Sequence, residues 1–557
     1  MVNSADPTEA SRKSILARAI RLLRPSHQHS AFSATLLVMV AVMLSRVFGF
    51  LREAYIAWAF GATSLTDAYN AGFTIPDWLN YIVAGGTVSI TFIAIYTRFL
   101  AQGKEDEAQK TFSVIITVMT AVLVAGIALA AIFAPQLDGW YFGGKDGFDA
   151  EKLAICVRLT RILLPAQLFF YIGGVVSAVL YSRRLFFLPA FGPLVYNVAI
   201  ILGGVLFSHR LGIASLAYGA VAGSFLGIFL INAVGAARVG TRYRISFDVH
   251  NPAFREWVRL SIPLMLGVSL VSADDWILRY FAKHSVGDIT RLNYAKRLFA
   301  VPISVLGQAA GQASLPFFAR LIGEKRMQEF SDSVNGSVYR ITATSLLLSS
   351  FMVSAALPLI DLLYRRGRLT FFDSQEIAVY FFWFSLSLGF WSAQALYARG
   401  FYAAGDTLTP MVASTLITAA SIPMYAALFR HFSTVGLAMA SDLGILANCV
   451  AMALLLHRRK LVSLLQLQWG EVGKTALTAA AAGLLSYQMV RVVIVNGSRV
   501  SDIKALALSA VTWAGAVAAG LWFTRSRLPG DLRRRQAPAP SQVAEIGAGA
   551  APKGIDP

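Results

Sequence analysis

Residues 31–60 read AFSATLLVMVAVMLSRVFGFLREAYIAWAF, an apolar stretch whose second half contains Arg46 and Arg52. A helix needs about 20 apolar residues to cross a bilayer, and this stretch is longer than that. An arginine inside a membrane is costly, so it should face the protein interior or a water-filled cavity and contact an anion. Because the two arginines are six residues apart, they lie about 120° apart around the helix, on adjoining faces. We therefore predict a membrane helix that presents guanidinium groups to a cavity.

The composition extends this interpretation to the whole chain of 557 residues. It is 56% hydrophobic and only 14% charged, whereas about a quarter of the residues of soluble proteins are charged. About fourteen apolar stretches of spanning length lie between residues 31 and 524. We predict an all-α polytopic membrane protein with about 14 transmembrane helices. The even number places both termini on one side, and the basic loops on that side make it the cytoplasm. The net charge of +19 lies mostly in short loops, which fits membrane orientation and does not favour nucleic-acid binding.

Similar local patterns recur about 220 residues apart, which indicates an internal duplication. Arg98 and Arg320 end similar segments, and Pro76 and Pro302 interrupt the second span of each half. The predicted organisation is a basic cytoplasmic segment 1–30, an N-lobe 31–240 with six spans, a C-lobe 241–460 with six spans, two further spans in 461–525, and a disordered cytoplasmic tail 526–557.

The second span, predicted near residues 68–99, contains Pro76, Asn80 and the pair Gly85 and Gly86. Helices broken at membrane depth are tolerated where they line a cavity, so we expect these residues to line the cavity or act as a hinge. The alternative for the glycine pair is close helix packing alone. In the second half Arg297 lies shortly before Pro302, which predicts that it enters the same cavity from the opposite lobe.

Asp274 and Asp275 are adjacent acids within the seventh span. They are candidates for binding a coupling cation, because hard ions prefer carboxylate oxygens. Equally well, they neutralise Arg279 or Lys296. The sequence contains no ATP-binding or hydrolase motif, so we expect a transporter without a cofactor that is coupled to sodium, protons or the membrane potential.

Several segments together resemble the bacterial MurJ (MviN) family of lipid II flippases. They are SRVFGFLR at 45–52, FGA at 60–62, TDA at 66–68, PAFGP at 189–193 and YAKRL at 294–298. The resemblance implies two six-helix lobes around a cationic cavity with alternating access. It also implies movement of undecaprenyl-diphosphate-linked peptidoglycan precursor from the inner to the outer leaflet of the cytoplasmic membrane. By the same resemblance, Arg46, Arg52, Asp67 and Arg297 bind the substrate.

Two positions depart from the pattern of the family. Asn80 stands where members commonly have a basic residue, and Gly85 where they commonly have Glu. One alternative is therefore export of another polyprenyl-linked polysaccharide unit. Multidrug antiport is a weaker alternative, because a cavity for cationic drugs should be lined by acids and the candidate residues here are mainly basic. The expected partners are lipid II or a related polyprenyl-diphosphate lipid and membrane lipids, and the cell-wall synthesis machinery is a candidate partner.

Overall fold

The structure is a computed structural model that describes residues 31–84, 87–183, 185–266, 270–493 and 498–533. The predicted basic N-terminal segment, most of the predicted tail, Gly85 and Gly86 lie outside these residues. The chain forms two compact units. The first comprises Met1–Val301, Leu359–Phe384 and Thr407–Asn448, and the second Pro302–Pro358, Ser385–Asp406 and Cys449–Pro557.

The described chain is built from α-helices with two π-helical segments. The helices up to residue 302 are α1 (Ala31–Phe60), α2 (Ser64–Ala71), α3 (Thr74–Ala84), α4 (Thr87–Ala101), α5 (Glu105–Phe142), α6 (Ala150–Leu163), α7 (Ala166–Ser182), α8 (Phe187–Leu211), α9 (Ala214–Gly223), π1 (Ser224–Leu230), α10 (Ile231–Arg238), α11 (Pro252–Leu266), α12 (Leu270–Ala282) and α13 (Asp288–Pro302). The later helices are π2 (Ile303–Ala309), α14 (Ala310–Gly323), α15 (Met327–Ser354), α16 (Ala356–Tyr364), α17 (Phe371–Leu386), α18 (Leu388–Ala403), α19 (Leu408–Arg458), a 3₁₀ turn (Leu464–Gln466), α20 (Trp469–Val493), α21 (Arg499–Phe523) and α22 (Leu528–Arg533).

Seven helical stretches of the described chain are long and apolar enough to cross a membrane, and two of them combine neighbouring elements, α6 with α7 and α9 with π1 and α10. Two bent pairs, α15 with α16 and α17 with α18, qualify as broken spans. No strand occurs in the described ranges. The prediction of an all-α polytopic membrane protein is therefore confirmed. The number of 14 spans stays a prediction. In α19 the non-helical backbone of Ser433 separates two helices.

In the first unit, α1 packs against α8, and α8 packs against α9. Small residues allow the second contact: a Cβ atom at Gly219 would lie 2.7 Å from the carbonyl oxygen of Ala199, too close for any side chain. A buried core that includes Phe92, Phe112 and Tyr171 joins α4, α5 and α7. This packing fixes α1 and its charged residues beside α8.

In the second unit, α20 and α21 pack against each other and both contact α15, while α15 also packs against α18. Polar side chains support these contacts. The Ser345 hydroxyl donates to that of Ser392 at 3.1 Å, and the Ser354 hydroxyl donates to that of Ser486 at 2.9 Å. The predicted lobes 31–240 and 241–460 are each continuous in sequence, whereas each of these two units combines three separate segments of the chain. The division into two lobes stays a prediction.

Candidate functional site

A cavity of about 250 Å³ lies within the first unit and is lined by charged and amide side chains. Three guanidinium groups reach it from α1, α12 and α13, those of Arg52, Arg279 and Arg297. Two carboxylates, Glu53 and Asp77, also line it. Three cations against two anions leave an excess of one positive charge among the lining residues. The cavity therefore favours an anion over a cation of the same size.

Arg52 is held rigidly at one wall of this cavity. Its Nη1 donates to the side-chain oxygen of Asn197 on α8 at 3.0 Å, and its Nη2 donates to the carboxylate of Glu53 at 2.5 Å. Asn197 is itself fixed, because its amide nitrogen donates to the carbonyl of Pro193 at 2.9 Å. Only 13% of the Arg52 side chain is exposed. The second half of α1 thus places Arg52 in the cavity, as the sequence predicts.

Arg297 is the most accessible of the three arginines. Its side chain is 54% exposed, and its Nε lies 3.7 Å from the same Glu53 carboxylate that binds Arg52. One buried carboxylate is therefore shared between two guanidiniums, and the longer contact belongs to Arg297. Most of the donors of Arg297 remain available to a ligand in the cavity.

Arg279 and Asp77 form a second ion pair at 3.0 Å, and Arg279 also donates to the Thr74 hydroxyl at 3.2 Å. The sequence suggests Arg279 only as a partner of Asp274 or Asp275, since Asp275 is one helical turn away. Its partner lies instead on α3, about 200 residues earlier. No local pattern connects the two residues, so the sequence held no signal for this pair.

Asn80 also lines the cavity, where its side-chain nitrogen donates to the side-chain oxygen of Gln167 at 2.7 Å. The amide pair occupies a wall where a basic residue would have added a further cation. Arg46, in contrast, is exposed and is not among the residues that line this cavity. The structure therefore brings Arg52, Arg297 and Asn80 together and leaves Arg46 outside the group.

Asp67 occupies a different environment from the one predicted for a substrate ligand. It is fully buried and accepts hydrogen bonds from the backbone N–H groups of Gly287 at 2.6 Å and Thr290 at 3.0 Å. It also binds the Thr290 hydroxyl at 2.8 Å and the ammonium of Lys152 at 3.1 Å. The carboxylate thus caps the start of α13 and leaves no free face for a ligand.

Asp274 and Asp275 both contact the Lys296 ammonium. Asp274 is fully buried, lies 2.5 Å from that ammonium and accepts hydrogen bonds from the hydroxyls of Tyr425 and Ser441. Asp275 is 55% exposed. Across the described side chains no group of three or more His, Cys, Asp or Glu has the arrangement of a metal site. The geometry matches neutralisation of Lys296, the alternative to cation binding.

The two prolines occupy ends of helices. Pro76 lies in the first turn of α3, where a missing N–H removes no helical hydrogen bond. Pro302 is the last residue of α13 and is followed directly by the π-helical segment π2. The predicted second span is thus divided into α2, α3 and α4. Gly85 and Gly86 lie in the gap between α3 and α4, outside the described residues.

Comparison with known proteins identifies the family. The family model described as "Lipid II flippase MurJ" matches residues 56–508. The chain belongs to the MurJ family of lipid II flippases. A MurJ relative from Burkholderia cenocepacia, described as a lipid II flippase, is 27% identical over 444 residues, which cover 77% of this chain and 84% of that protein. The resemblance inferred from the sequence motifs is confirmed.

Solved structures support the same fold. A structure described as lipid II flippase MurJ in an inward closed conformation superposes with a TM-score of 0.71 at 19% identity, covering 88% of this chain and 99% of that one. An inward-facing multidrug resistance transporter of the MATE family superposes with a TM-score of 0.61 at 11% identity, covering 76% and 98%. At these identities the two structures indicate a shared architecture, and the MurJ assignment rests on the sequence family.

Proposed function

We propose that this chain moves lipid II, the undecaprenyl-diphosphate-linked peptidoglycan precursor, from the inner to the outer leaflet of a bacterial cytoplasmic membrane. The observation that carries the proposal is the cavity with an excess of positive charge in a member of the MurJ family. A diphosphate offers several anionic oxygens, and the planar donor fork of arginine matches them. Arg297 is the first contact, because its guanidinium is the most exposed and the least tightly paired.

Arg52 contributes to binding differently from Arg297. Glu53 shares its carboxylate between the two arginines, so a diphosphate that binds Arg297 replaces the long contact to Glu53 without leaving a buried cation unpaired. Arg52 keeps its contact with Asn197 and provides a fixed positive field. Arg46, which is exposed outside the cavity, is expected to matter less for the diphosphate.

The Asp67 cap is proposed to close the transporter at one face in this state. Asp67 joins the start of α2 to the start of α13, and opening at that face requires separation of these helix ends. Rocking about Pro76 and Pro302 is the proposed motion. Both termini are proposed to be cytoplasmic, which makes this the outer face. Contact with the cell-wall synthesis machinery stays a prediction from the family resemblance.

The energy source is also a proposal. Asp274 and Asp275 are already paired with Lys296, so a sodium ion or proton would have to compete with an ammonium group. We therefore propose that the membrane potential acting on the charged cavity resets the cycle. Liposomes with an imposed potential and no sodium gradient should support transport if this is correct.

Complementation of a strain depleted of its lipid II flippase tests the main proposal. The wild-type chain should restore growth, Arg297→Gln should fail, and Arg98→Gln, in an exposed ion pair elsewhere, should restore growth. Normal expression of each variant is checked by immunoblot. Failure of the wild-type chain, or full rescue by Arg297→Gln, would contradict the proposal.

Export of another polyprenyl-linked unit remains the second candidate, because the Asn80–Gln167 amide pair stands where a cation is common in the family. Amides hydrogen-bond sugars without adding charge. Proteoliposomes that contain lipid II or a polyprenyl-diphosphate-linked glycan without the peptide separate the two candidates by rate. A multidrug antiporter is disfavoured, because a cationic drug would meet a cavity with excess positive charge.

A further inference from the structure

A second, larger depression lies on the surface of the first unit, between α5, α6 and α9, and shares no residue with the arginine cavity. It is an open groove of about 660 Å³. Its walls are largely apolar and include Leu153, Val157 and Ile162. Two arginines of α6, Arg158 and Arg161, also line it, together with Tyr218 of α9.

Arg158 and Arg161 lie one helical turn apart on the same face of α6, and both are exposed. Within the described part of the chain, neither guanidinium has a carboxylate within ion-pair distance. Elsewhere in the same unit Arg52, Arg279 and Arg291 all contact carboxylates. The groove thus carries two cations that the described residues leave unneutralised.

A proline fixes one of these arginines in place. Pro135 lies within α5 and has no N–H, so the carbonyl of Ala131, four residues earlier, lacks its helical donor. The Nε of Arg161 donates to that carbonyl at 2.9 Å. This hydrogen bond uses the inner nitrogen of the guanidinium and leaves both Nη groups for another acceptor. The backbone of α5 therefore orients Arg161 toward a ligand in the groove.

The sequence of α5 beside the groove has the character of a membrane interface. The apolar run of α5 ends at Pro135, which lines the groove, and the exposed Gln136 follows it. One and a half turns beyond Pro135, Trp140 is 73% exposed, as expected for an aromatic residue at a membrane interface. We infer that Pro135 lies near the edge of the hydrocarbon layer, where a phosphate can reach the arginines without entering the membrane core.

We propose that this groove binds an anionic membrane phospholipid, whose phosphate contacts Arg158 and Arg161 and whose acyl chains lie along the apolar walls. Charge complementarity requires an anion, and the apolar lining together with the depth requires one that is attached to hydrocarbon chains. The site is independent of the arginine cavity and of the proposed transport of lipid II.

Native mass spectrometry of the full chain in detergent tests this site. Phosphatidylglycerol and phosphatidylcholine with identical acyl chains are titrated separately, and the dissociation constant of the first lipid adduct is measured. The wild-type protein should bind phosphatidylglycerol more tightly, and the double variant Arg158→Gln/Arg161→Gln should bind it about tenfold more weakly. Arg210→Gln is the control, because Arg210 is an exposed arginine of the same unit outside the groove.

The variant Pro135→Ala tests the role of the backbone without changing any charge. Alanine restores an N–H that satisfies the Ala131 carbonyl, which releases Arg161 and should weaken phosphatidylglycerol binding severalfold while α5 stays helical. The site is refuted if the double variant binds phosphatidylglycerol as the wild type does, or if Arg210→Gln loses as much affinity. Equal binding of phosphatidylcholine by the wild type, or displacement of phosphatidylglycerol by a polyprenyl diphosphate at equal concentration, would also overturn it.

Discussion

The Asp67 cap allows a prediction about stability that separates a structural role from a substrate-binding role. Asp67→Asn keeps the size of the side chain but removes the charge that neutralises the buried ammonium of Lys152. Loss of one partner of a buried ion pair costs about 3–5 kcal/mol, because the other charge is left uncompensated. Asparagine also has a single acceptor oxygen for the N–H groups of Gly287 and Thr290. We therefore expect a loss of about 3–5 kcal/mol in the free energy of unfolding.

The double-mutant cycle with Lys152→Met isolates the interaction. Methionine fills the volume of the lysine stem and leaves Asp67 with three hydrogen bonds from the start of α13. The double variant should therefore be more stable than the sum of the single changes predicts, with a coupling of at least about 1 kcal/mol. Denaturant unfolding of purified protein in detergent, followed by tryptophan fluorescence, provides the free energies.

The control for this cycle is Glu256→Gln, which breaks the exposed ion pair with Arg98. Exposed pairs contribute about 0–1 kcal/mol, so this variant should unfold almost as the wild type does. If Asp67→Asn costs no more than Glu256→Gln, the cap does not hold α2 to α13. A substrate-binding role for Asp67 would then regain support. If the Asp67 and Lys152 changes are additive, the buried ion pair between them contributes nothing to stability.

Three further results are expected. Arg297→Gln should lower the rate of lipid II transport in proteoliposomes about tenfold, because it removes roughly one charge-assisted contact, while the control Arg98→Gln should leave the rate unchanged. Equal rates for the two variants would contradict the role of Arg297. Asp274→Asn should lower the free energy of unfolding by about 3 kcal/mol, because it breaks a buried ion pair with Lys296, whereas Asp275→Asn at a half-exposed site should cost less than about 1 kcal/mol. The reverse order would contradict the assignment of Asp274 as the main partner of Lys296. Asp149→Ala should lower the free energy of unfolding by about 1 kcal/mol, because Asp149 caps α6 by accepting a hydrogen bond from the backbone N–H of Lys152 at 2.7 Å. An unchanged midpoint of denaturant unfolding would show that the cap is dispensable.

The membrane class and the arginine-bearing first helix were predictable from the sequence because they depend on local properties. A helix that must cross a bilayer needs a long apolar run, and such runs are visible in any window of the chain. The position of Arg52 follows from the same run, since a charge in its second half has to find a polar environment. Arg297 was predictable through the repeat, which placed a second arginine beside a proline in the later half.

The partners of the charges were not predictable, because ion pairs join residues that are distant in sequence. Arg279 pairs with Asp77 and not with the neighbouring Asp275. The sequence motif around Asp67 predicts an acid in the cavity. The carboxylate instead faces the start of α13 and accepts hydrogen bonds from two backbone N–H groups there. Such a cap depends on where one helix begins relative to another, which no spacing within the motif determines.

If the cavity binds the diphosphate as proposed, its arrangement of charges explains how one site can both bind and release that group. Three unpaired guanidiniums inside a membrane would be costly and would hold an anion too tightly for release. Glu53 and Asp77 lower that cost by pairing with Arg52 and Arg279, and they leave Arg297 with only a long contact. A diphosphate then competes with Glu53 for a cation that is already partly neutralised, so both binding and release exchange one anion for another. Removal of Glu53 should therefore tighten binding of the diphosphate and slow transport, which distinguishes a carrier of this kind from a simple anion trap.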